Sequence, residues 1–382
     1  MRNSKKFKQV KSFKVGEKKL NPVILHVSTP GSWRGGEQQL FYLMEELDQQ
    51  NIEQYTLCNE KGQLYKRSFG KGFHLVPMRI RNGLDLNCAY EIKHLCKSLN
   101  ITTIHTHDSR AHTLALLASV FYRNKVPVVV SRRVDFPIGS SWFSKFKYNH
   151  SSVAKIICVS KAIQEVMKPS IQSQAKLCTI HSGIDMKRFK AVKSNYLQNT
   201  FNIPSDYPII GNISAIAPHK DYFTFVDTAE ILISKGFKAK FFIIGDGPER
   251  RKIEQYVAEK GLEEAIYFTG FVKHIVPIMK SLDLLLITSK TEGLGTTILD
   301  AFACQVPVVA TRAGGIPEIV QNGVTGLTAP IGDSKTLVNQ VQLLFSDNDL
   351  KTKLVENASE LLKEFLRETT AKKTLEVYMS LL

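Results

Sequence analysis

The sequence predicts an α/β protein made of two doubly wound domains, each a parallel sheet covered by helices on both faces. Three observations carry this. At 382 residues the chain exceeds one ordinary domain, and two is the natural number. Short apolar runs recur along its whole length, and most are continuous rather than alternating, as strands buried on both faces are. Helical stretches such as AHTLALLASVFYR (111–123) and DYFTFVDTAEILISKG (221–236) separate the runs. Repeated βα units of this kind give parallel sheets with right-handed crossovers.

Taken in order, residues 1–19 form a basic tail read as disordered. It holds eight Lys and Arg and no apolar segment of a secretory signal, so the expected location is the cytoplasm. The first domain spans 20–190, with strand candidates at 22–28, 54–58, 73–78, 102–107, 126–131, 155–160 and 176–181. Residues 191–207 lie in a polar stretch without a strong period and read as the linker. The second domain spans 208–362, with strand candidates at 208–214, 239–245, 265–271, 284–289 and 306–311. A dozen strands exceed one small sheet, which again asks for two. A terminal helix at 363–382 has the option of crossing back to the first domain.

Composition narrows the classes. No apolar run reaches the roughly 18 residues that span a bilayer. Cys58, Cys88, Cys96, Cys158, Cys178 and Cys304 are scattered without a C-x-x-C pair, which favours buried free thiols over a disulfide framework or zinc site. Charge is split. Residues 1–200 hold 32 Lys and Arg against 13 Asp and Glu, whereas residues 201–382 hold 19 against 22. The basic half suggests an anionic partner: phospholipid headgroups, a phosphorylated substrate or nucleic acid. Plain solubility accounts for it equally well.

In doubly wound sheets, ligands bind beyond the carboxyl ends of the strands, and two such domains face each other across a cleft. The richest strand-end segment is TEGLGTTILDAFACQVPVVATRAGGIPEIV (291–320). Gly293 and Gly295 let backbone approach a ligand. The amides of Thr296, Thr297 and Ile298 are expected free at a helix N-terminus, where the dipole also favours an anion. Glu292 stays in the loop and Asp300 lies about one turn into the helix. The combination offers a phosphate cradle flanked by two hydroxyl-binding carboxylates, which suits a nucleoside diphosphate sugar. Taken alone, a capping acid and a solvated helix acid fit the same residues.

This segment resembles the E-x7-E region of retaining GT-B glycosyltransferases of family 4, in its loop glycines, its PVVAT strand and its GGIPEIV turn. Other pieces follow in the family's order. SAIAPHKD (214–221) is similar to the first strand-end loop of the donor domain, with Lys220 in the diphosphate-binding position and Ser214 beside it. FFIIGDGPER and IYFTGFV look like the next two strands, adding Gly245 and Val272 to the implied donor site. IHSGIDMKRF resembles the strand that closes the acceptor domain. WRGGEQQL, with Gly35 and Gly36, resembles the glycine-rich acceptor loop, and HTHDSRAH a mid-domain strand end. The resemblance covers roughly residues 20–382. It implies the GT-B fold, two Rossmann-like domains facing a central cleft. The co-substrate is a nucleotide-diphosphate sugar, with UDP-sugar the first choice, and the acceptor a glycan or lipid-linked glycan of the cell envelope. It implies no metal, no other cofactor and no nucleic acid partner. An anionic membrane surface, met from the cytoplasmic side, is a further candidate partner.

Three departures stand out. The second signature acid is Asp300, one methylene shorter than Glu. Ala215 stands where the arginine that accompanies the diphosphate lysine is usual. In VVVSRRVDFP, Arg132 or Arg133 replaces an acceptor-domain histidine; arginine is no base at neutral pH, but it can hold a phosphate bidentately. The resemblance implies front-face substitution, with Lys220 and the helix amides stabilising charge on the diphosphate and Glu292 binding hydroxyls of the transferred sugar. A non-catalytic relative, allowed by Ala215 and Asp300, and another GT-B enzyme such as a sugar-nucleotide epimerase remain as alternatives.

Other features have plainer readings. Asp347–Asn348–Asp349 spells a metal-binding D-x-D but lies between helices, where a cap is expected. His105 and His107 offer two metal ligands with no third in view, so His107, followed by Asp108, is read as the residue facing the cleft and joins Lys220 and Glu292 as a catalytic candidate. His26 reads as a satisfied core residue. In FPIGSSWFSKFKYNH (136–150), Trp142, Phe143 and Phe146 fall at helical spacing beside Lys145 and Lys147. The segment suits either an amphipathic helix packed on its own domain or a membrane contact.

Overall fold

The structure is a computed structural model and describes residues 21–139, 141–189 and 194–382. The basic tail at 1–19 lies outside these residues. The first sheet contains β1 (Ile24–Ser28), β2 (Gln54–Asn59), β3 (His74–Met78), β4 (Thr103–Thr106), β5 (Val128–Arg132), β6 (Val153–Cys158) and β7 (Leu177–Thr179). All its pairings are parallel, in the order β3-β2-β1-β4-β5-β6-β7. The second sheet contains β8 (Ile209–Ile213), β9 (Lys240–Ile244), β10 (Ile266–Gly270), β11 (Leu284–Ile287), β12 (Val308–Thr311) and β13 (Leu327–Ala329). It is also parallel, in the order β10-β9-β8-β11-β12-β13.

Every strand read from the sequence is present, and β13 is an addition. It is only three residues long, with Thr328 in its middle, too short for an apolar run to mark it. Within the stretch read as a linker, Tyr196–Phe201 forms a short helix. Its Leu197 is fully buried and donates its amide to Ser281 Oγ at 3.3 Å, so this part packs on the second domain. Central strands such as β1, β8 and β11 are buried on both faces, which is why they lack alternation.

Each sheet reverses its order at one place, between β1 and β4 in the first and between β8 and β11 in the second. At such a switch point the loops leaving adjacent strands run in opposite directions and open a crevice. The two domains meet at these carboxyl ends. A Cβ on Gly293, after β11, would lie 2.6 Å from the carbonyl oxygen of Arg133, after β5. A Cβ on Gly315, after β12, would lie 2.9 Å from that of Ser160, after β6.

The helix Arg367–Met379 packs on the helix Gly35–Gln49 of the first domain. Tyr378 and Ala371 enter a core shared with Ile24, Leu43, Leu47, Val129, Ile157 and Ile180. Arg367 is buried and pairs with Glu45 at 2.6 Å and Glu46 at 2.8 Å. The amide of Arg367 donates to Ile184 O at 3.0 Å, and that of Ile184 to Phe365 O at 2.8 Å. Gly183 makes this approach possible, because a Cβ there would sit 2.6 Å from Arg367 Cα and 2.7 Å from Thr370 Oγ1. Gly183→Ala is therefore expected to lower stability by about 1–3 kcal/mol through overpacking. A downward shift of the thermal unfolding midpoint checks this, with the exposed control Lys363→Ala expected to melt as the parent does.

Candidate active site

The two loops at the second switch point are zipped together. The amide of Lys290 donates to His219 O at 2.8 Å, and Thr288 Oγ1 donates to the carbonyls of Lys220 and Asp221 at 3.1 and 3.0 Å. Asp221 takes a left-handed turn at φ 50° and its buried carboxylate pairs with Lys290 at 3.1 Å. This bracing brings Lys220 Nζ onto the Glu292 carboxylate, 72 residues away in sequence, with the two side chains only 16% and 18% exposed. Ser289 Oγ donates to the same carboxylate at 3.4 Å.

Beyond Glu292 the chain turns through Gly295, at φ 87°, into the helix Thr296–Ala303. The amides of Thr296 and Thr297 have no acceptor among the described residues. The amide of Ile298 does not join them: it closes the first turn on Gly295 O at 2.8 Å, which corrects the expectation of three free donors. Gly314 lies against the loop so closely that a Cβ would meet Glu292 O at 2.0 Å, and at φ 50° it is in the left-handed region. On the far side of the sheet, Gly245 leaves β9 at φ 141° with no room for a Cβ beside Ser214 O. Ser214 Oγ is within 2.9 Å of the buried Tyr222 hydroxyl, and Val272 is partly buried after β10.

Asp300 lies on the inner helix face toward the short turn Met186–Phe189 of the first domain. Burial pushes its carboxyl up to about 7, against the opposing charge of Arg188. Arg188 is held by the Tyr42 hydroxyl at 2.7 Å. Neither residue was singled out from the sequence, because nothing local in MKRF or LFYLM marks a partner for Asp300.

The first domain contributes Gly35 and Gly36, which open the helix Gly35–Gln49, and the two arginines after β5. These arginines part company. Arg132 turns into its own domain, beside the Tyr148 hydroxyl at 3.3 Å and the carbonyl of Phe136, so it is not available to a phosphate as expected. Arg133 passes Gly36, whose Cβ position is 3.7 Å from Arg133 Cδ, and its Nε has no partner among the described residues. Burial pulls its guanidinium down to about 10, with Glu37 opposing, so it stays charged at neutral pH.

His107 does not face an open cleft. It is 7% exposed and its Nε2 lies 3.1 Å from Nδ1 of His26, with the His105 ring 4.1 Å away. The cause is register: His26 pairs with His105 across β1 and β4, and His107 follows two residues on, on the same face. His26 is thus the third imidazole that the sequence did not place, and its Nε2 is unpartnered rather than satisfied. The three rings offer nitrogens within 4.8 Å of one another. Burial lowers all three pKa values; like-charge neighbours, Arg133 among them, lower those of His105 and His107 further, whereas Gln54 opposes the shift at His26. His105 has both ring nitrogens engaged, Nδ1 with the Tyr378 hydroxyl at 2.5 Å and Nε2 with Ser131 Oγ at 2.9 Å, and the Arg133 charge lies near, which together fit a metal poorly. His107 Nδ1 has no partner either, where a metal ligand normally holds its second nitrogen by a hydrogen bond. Asp347 caps the helix Asn348–Leu361 by accepting from Leu350 N at 2.8 Å. All six cysteines are free thiols.

Two family patterns divide the chain. That described as Glycosyltransferase Family 4 matches residues 18–188, and that described as Glycosyl transferases group 1 matches residues 195–361. The chain is 27% identical over 292 residues to N-acetyl-alpha-D-glucosaminyl L-malate synthase of Bacillus anthracis, covering 74% of this chain and 75% of that protein. It is 24% identical to the lipopolysaccharide core biosynthesis glycosyltransferase LpsE of Rhizobium meliloti, covering 87% and 93%. The crystal structure of Anabaena Alr3699/HepE in complex with UDP and glucose superposes with a TM-score of 0.81 at 20% identity, covering 94% and 99%. With both halves matched in order and both sheets in the GT-B arrangement, the chain belongs to the group 1, family 4 glycosyltransferases.

Proposed function

We propose that the protein is a retaining glycosyltransferase that moves a sugar from a nucleotide-diphosphate sugar, of the UDP type, to a glycan or lipid-linked acceptor of the cell envelope. The observation that carries the reading is the meeting of Lys220 and Glu292 at a switch point, beside the open amides of Thr296 and Thr297. LpsE, a relative over most of the chain, works on an envelope glycan, and HepE holds UDP. The diphosphate takes Lys220 and the two amides, and Glu292, released from its ion pair, turns to hydroxyls of the sugar. The bond between the anomeric carbon and the phosphate oxygen breaks as the acceptor oxygen bonds to the same face. The acceptor hydroxyl proton passes to the leaving phosphate oxygen. The protein's part is to stabilise charge developing on the diphosphate. Arg133 supplies, from the opposite domain, a cation of the kind missing at Ala215. No metal enters this scheme.

Hydrolysis of a panel of UDP-glucose, UDP-galactose and UDP-N-acetylglucosamine, run in excess EDTA, tests the donor reading. The native chain is expected to cleave at least one. Lys220→Ala and Glu292→Ala are expected to fall by about 10²–10³-fold, the range seen on removing an electrostatic stabiliser, while keeping a native circular dichroism spectrum. Undiminished rates in either variant remove the assigned site, and rates abolished by EDTA remove metal independence.

Asp300 gives a pH dependence. Its raised pKa means the carboxyl is protonated below about 7 and ionised above it. An ionised acceptor for ribose hydroxyls is lost as pH falls through this value, so affinity for a UDP-sugar is expected to rise across neutrality. The sugar diphosphate itself does not titrate there. Asp300→Asn is expected to flatten the profile, as read by calorimetry on either side of neutral pH.

Membrane contact rests on the surface beside the acceptor domain's strand ends. Trp142 is 74% exposed, with Phe143, Phe136, Leu84 and Leu86 also exposed, among exposed Arg81, Arg110 and Lys145. Lys147 is not part of this surface. Its ammonium is buried on Ser109 O and Ser109 Oγ at 3.1 and 3.0 Å, and burial pulls it down to about 8. Among the described residues no helix is long and apolar enough to cross a membrane. Each basic residue near an anionic bilayer contributes about 1 kcal/mol. The protein is expected to sediment with vesicles containing phosphatidylserine at low salt, weakly with phosphatidylcholine alone, and less in either case after Trp142→Ser with Phe143→Ser. Equal binding to both vesicle types, or none to either, would refute electrostatic docking.

A further inference from the structure

Glu318, at the end of the GGIPE turn, lies in the second domain but spends its hydrogen bonds on the first. Its Oε2 accepts from Lys161 N at 2.9 Å and its Oε1 from Ala162 N at 2.9 Å. These are the first two amides of the helix Lys161–Met167, and the third, Ile163 N, is satisfied by Ser160 Oγ at 3.1 Å. His181, just beyond β7, places Nε2 at 2.8 Å from the same Oε2. Burial alone would raise the Glu318 carboxyl, but His181 and the two amides hold it below its ordinary value. The anion therefore completes a helix cap across the domain boundary.

The turn that carries Glu318 is fastened to the loop of the candidate donor site. The amide of Gly315 donates to Glu292 O at 2.9 Å. Cβ atoms on Gly314 and Gly315 would lie 2.0 Å from Glu292 O and 2.3 Å from Gly293 O. The path from the first domain's helix to the Glu292 backbone thus runs through two hydrogen-bonded links, at Glu318 and at Gly315. Neither Glu318 nor His181 touches Lys220 or the free amides of Thr296 and Thr297.

We propose that Glu318 is a positioning residue: it clamps the two domains across the cleft and fixes the Glu292 loop, so that it governs turnover more than donor affinity. This rests on the donor reading above for its catalytic arm only; the clamp itself is testable without any nucleotide.

Three measurements on the full chain test it. Small-angle scattering without ligand is expected to give a larger radius of gyration for Glu318→Ala than for the native protein, with Glu318→Gln between them, since the amide oxygen still accepts one bond. Hydrolysis of whichever UDP-sugar of the panel is cleaved fastest is expected to lose up to about 10²-fold in kcat in Glu318→Ala, the scale of an ångström's misplacement. Calorimetry with UDP is expected to give a Kd close to the native one. His181→Ala, which leaves the two amide bonds intact, is expected to lose less in kcat and serves if Glu318→Ala fails to fold. A native radius of gyration in Glu318→Ala overturns the clamp. A lost UDP affinity with unchanged kcat makes Glu318 a donor-site residue and overturns the positioning role. If native protein binds no UDP, the donor reading falls, and the scattering comparison still decides the clamp.

Discussion

The structure depends on one constraint: a parallel strand delivers its working loop only at its carboxyl end. Two parallel sheets can share a site only if those ends are apposed. Here the ends of β5 and β6 meet the loops after β11 and β12, at separations that leave no room for side chains at Gly293 and Gly315. The reversal of strand order then selects which loops diverge enough to admit a ligand. Those are the loops after β8 and β11, which hold Lys220 and Glu292, and the loops after β1 and β4, which hold Gly35, Gly36 and His107.

Much of this arrangement was legible in the sequence, for definite reasons. Strands buried on both faces are continuous apolar runs, so most stood out, and β13, three residues with Thr328 in the middle, did not. Glu292 was readable because it follows a strand and because Gly293 and Gly295 mark a turn with close backbone contact, whereas Lys220 came only from the resemblance of SAIAPHKD to the family's donor-domain loop. What was illegible is contact at long separation. Nothing in the local sequence joins Arg188 to Tyr42 across 146 residues, or Glu318 to Lys161 across 157. The histidines show the same limit from the other side. Alternation places His105 and His107 on one face, but only the β1–β4 register brings His26 to them and closes the face over. Adjacent Arg132 and Arg133 could not be told apart until one was seen to bind its own domain and the other to pass Gly36.

Charge is distributed in keeping with this division of labour. Where acids sit near the cleft, each has a cationic or amide neighbour: Glu292 has Lys220, Asp300 has Arg188, and Glu318 has His181 and two amides. Arg133, by contrast, has its Nε unpartnered. These acids are therefore engaged until something displaces their partners, while the Arg133 Nε–H has no acceptor among the described residues.

The docking of Arg367–Met379 on the first domain has a consequence for how the chain is made. Tyr378 seals the core around Ile24 and Val129 and reaches the His105 ring, so the first domain is incomplete without residues that follow the whole of the second. Synthesis at about 5–20 residues per second separates β7 from this helix by roughly ten seconds or more. During that interval Leu43, Leu47 and Ile180 lack their final cover. The nascent protein thus carries an open apolar face on its earlier-made domain until the helix Arg367–Met379 emerges to cover it.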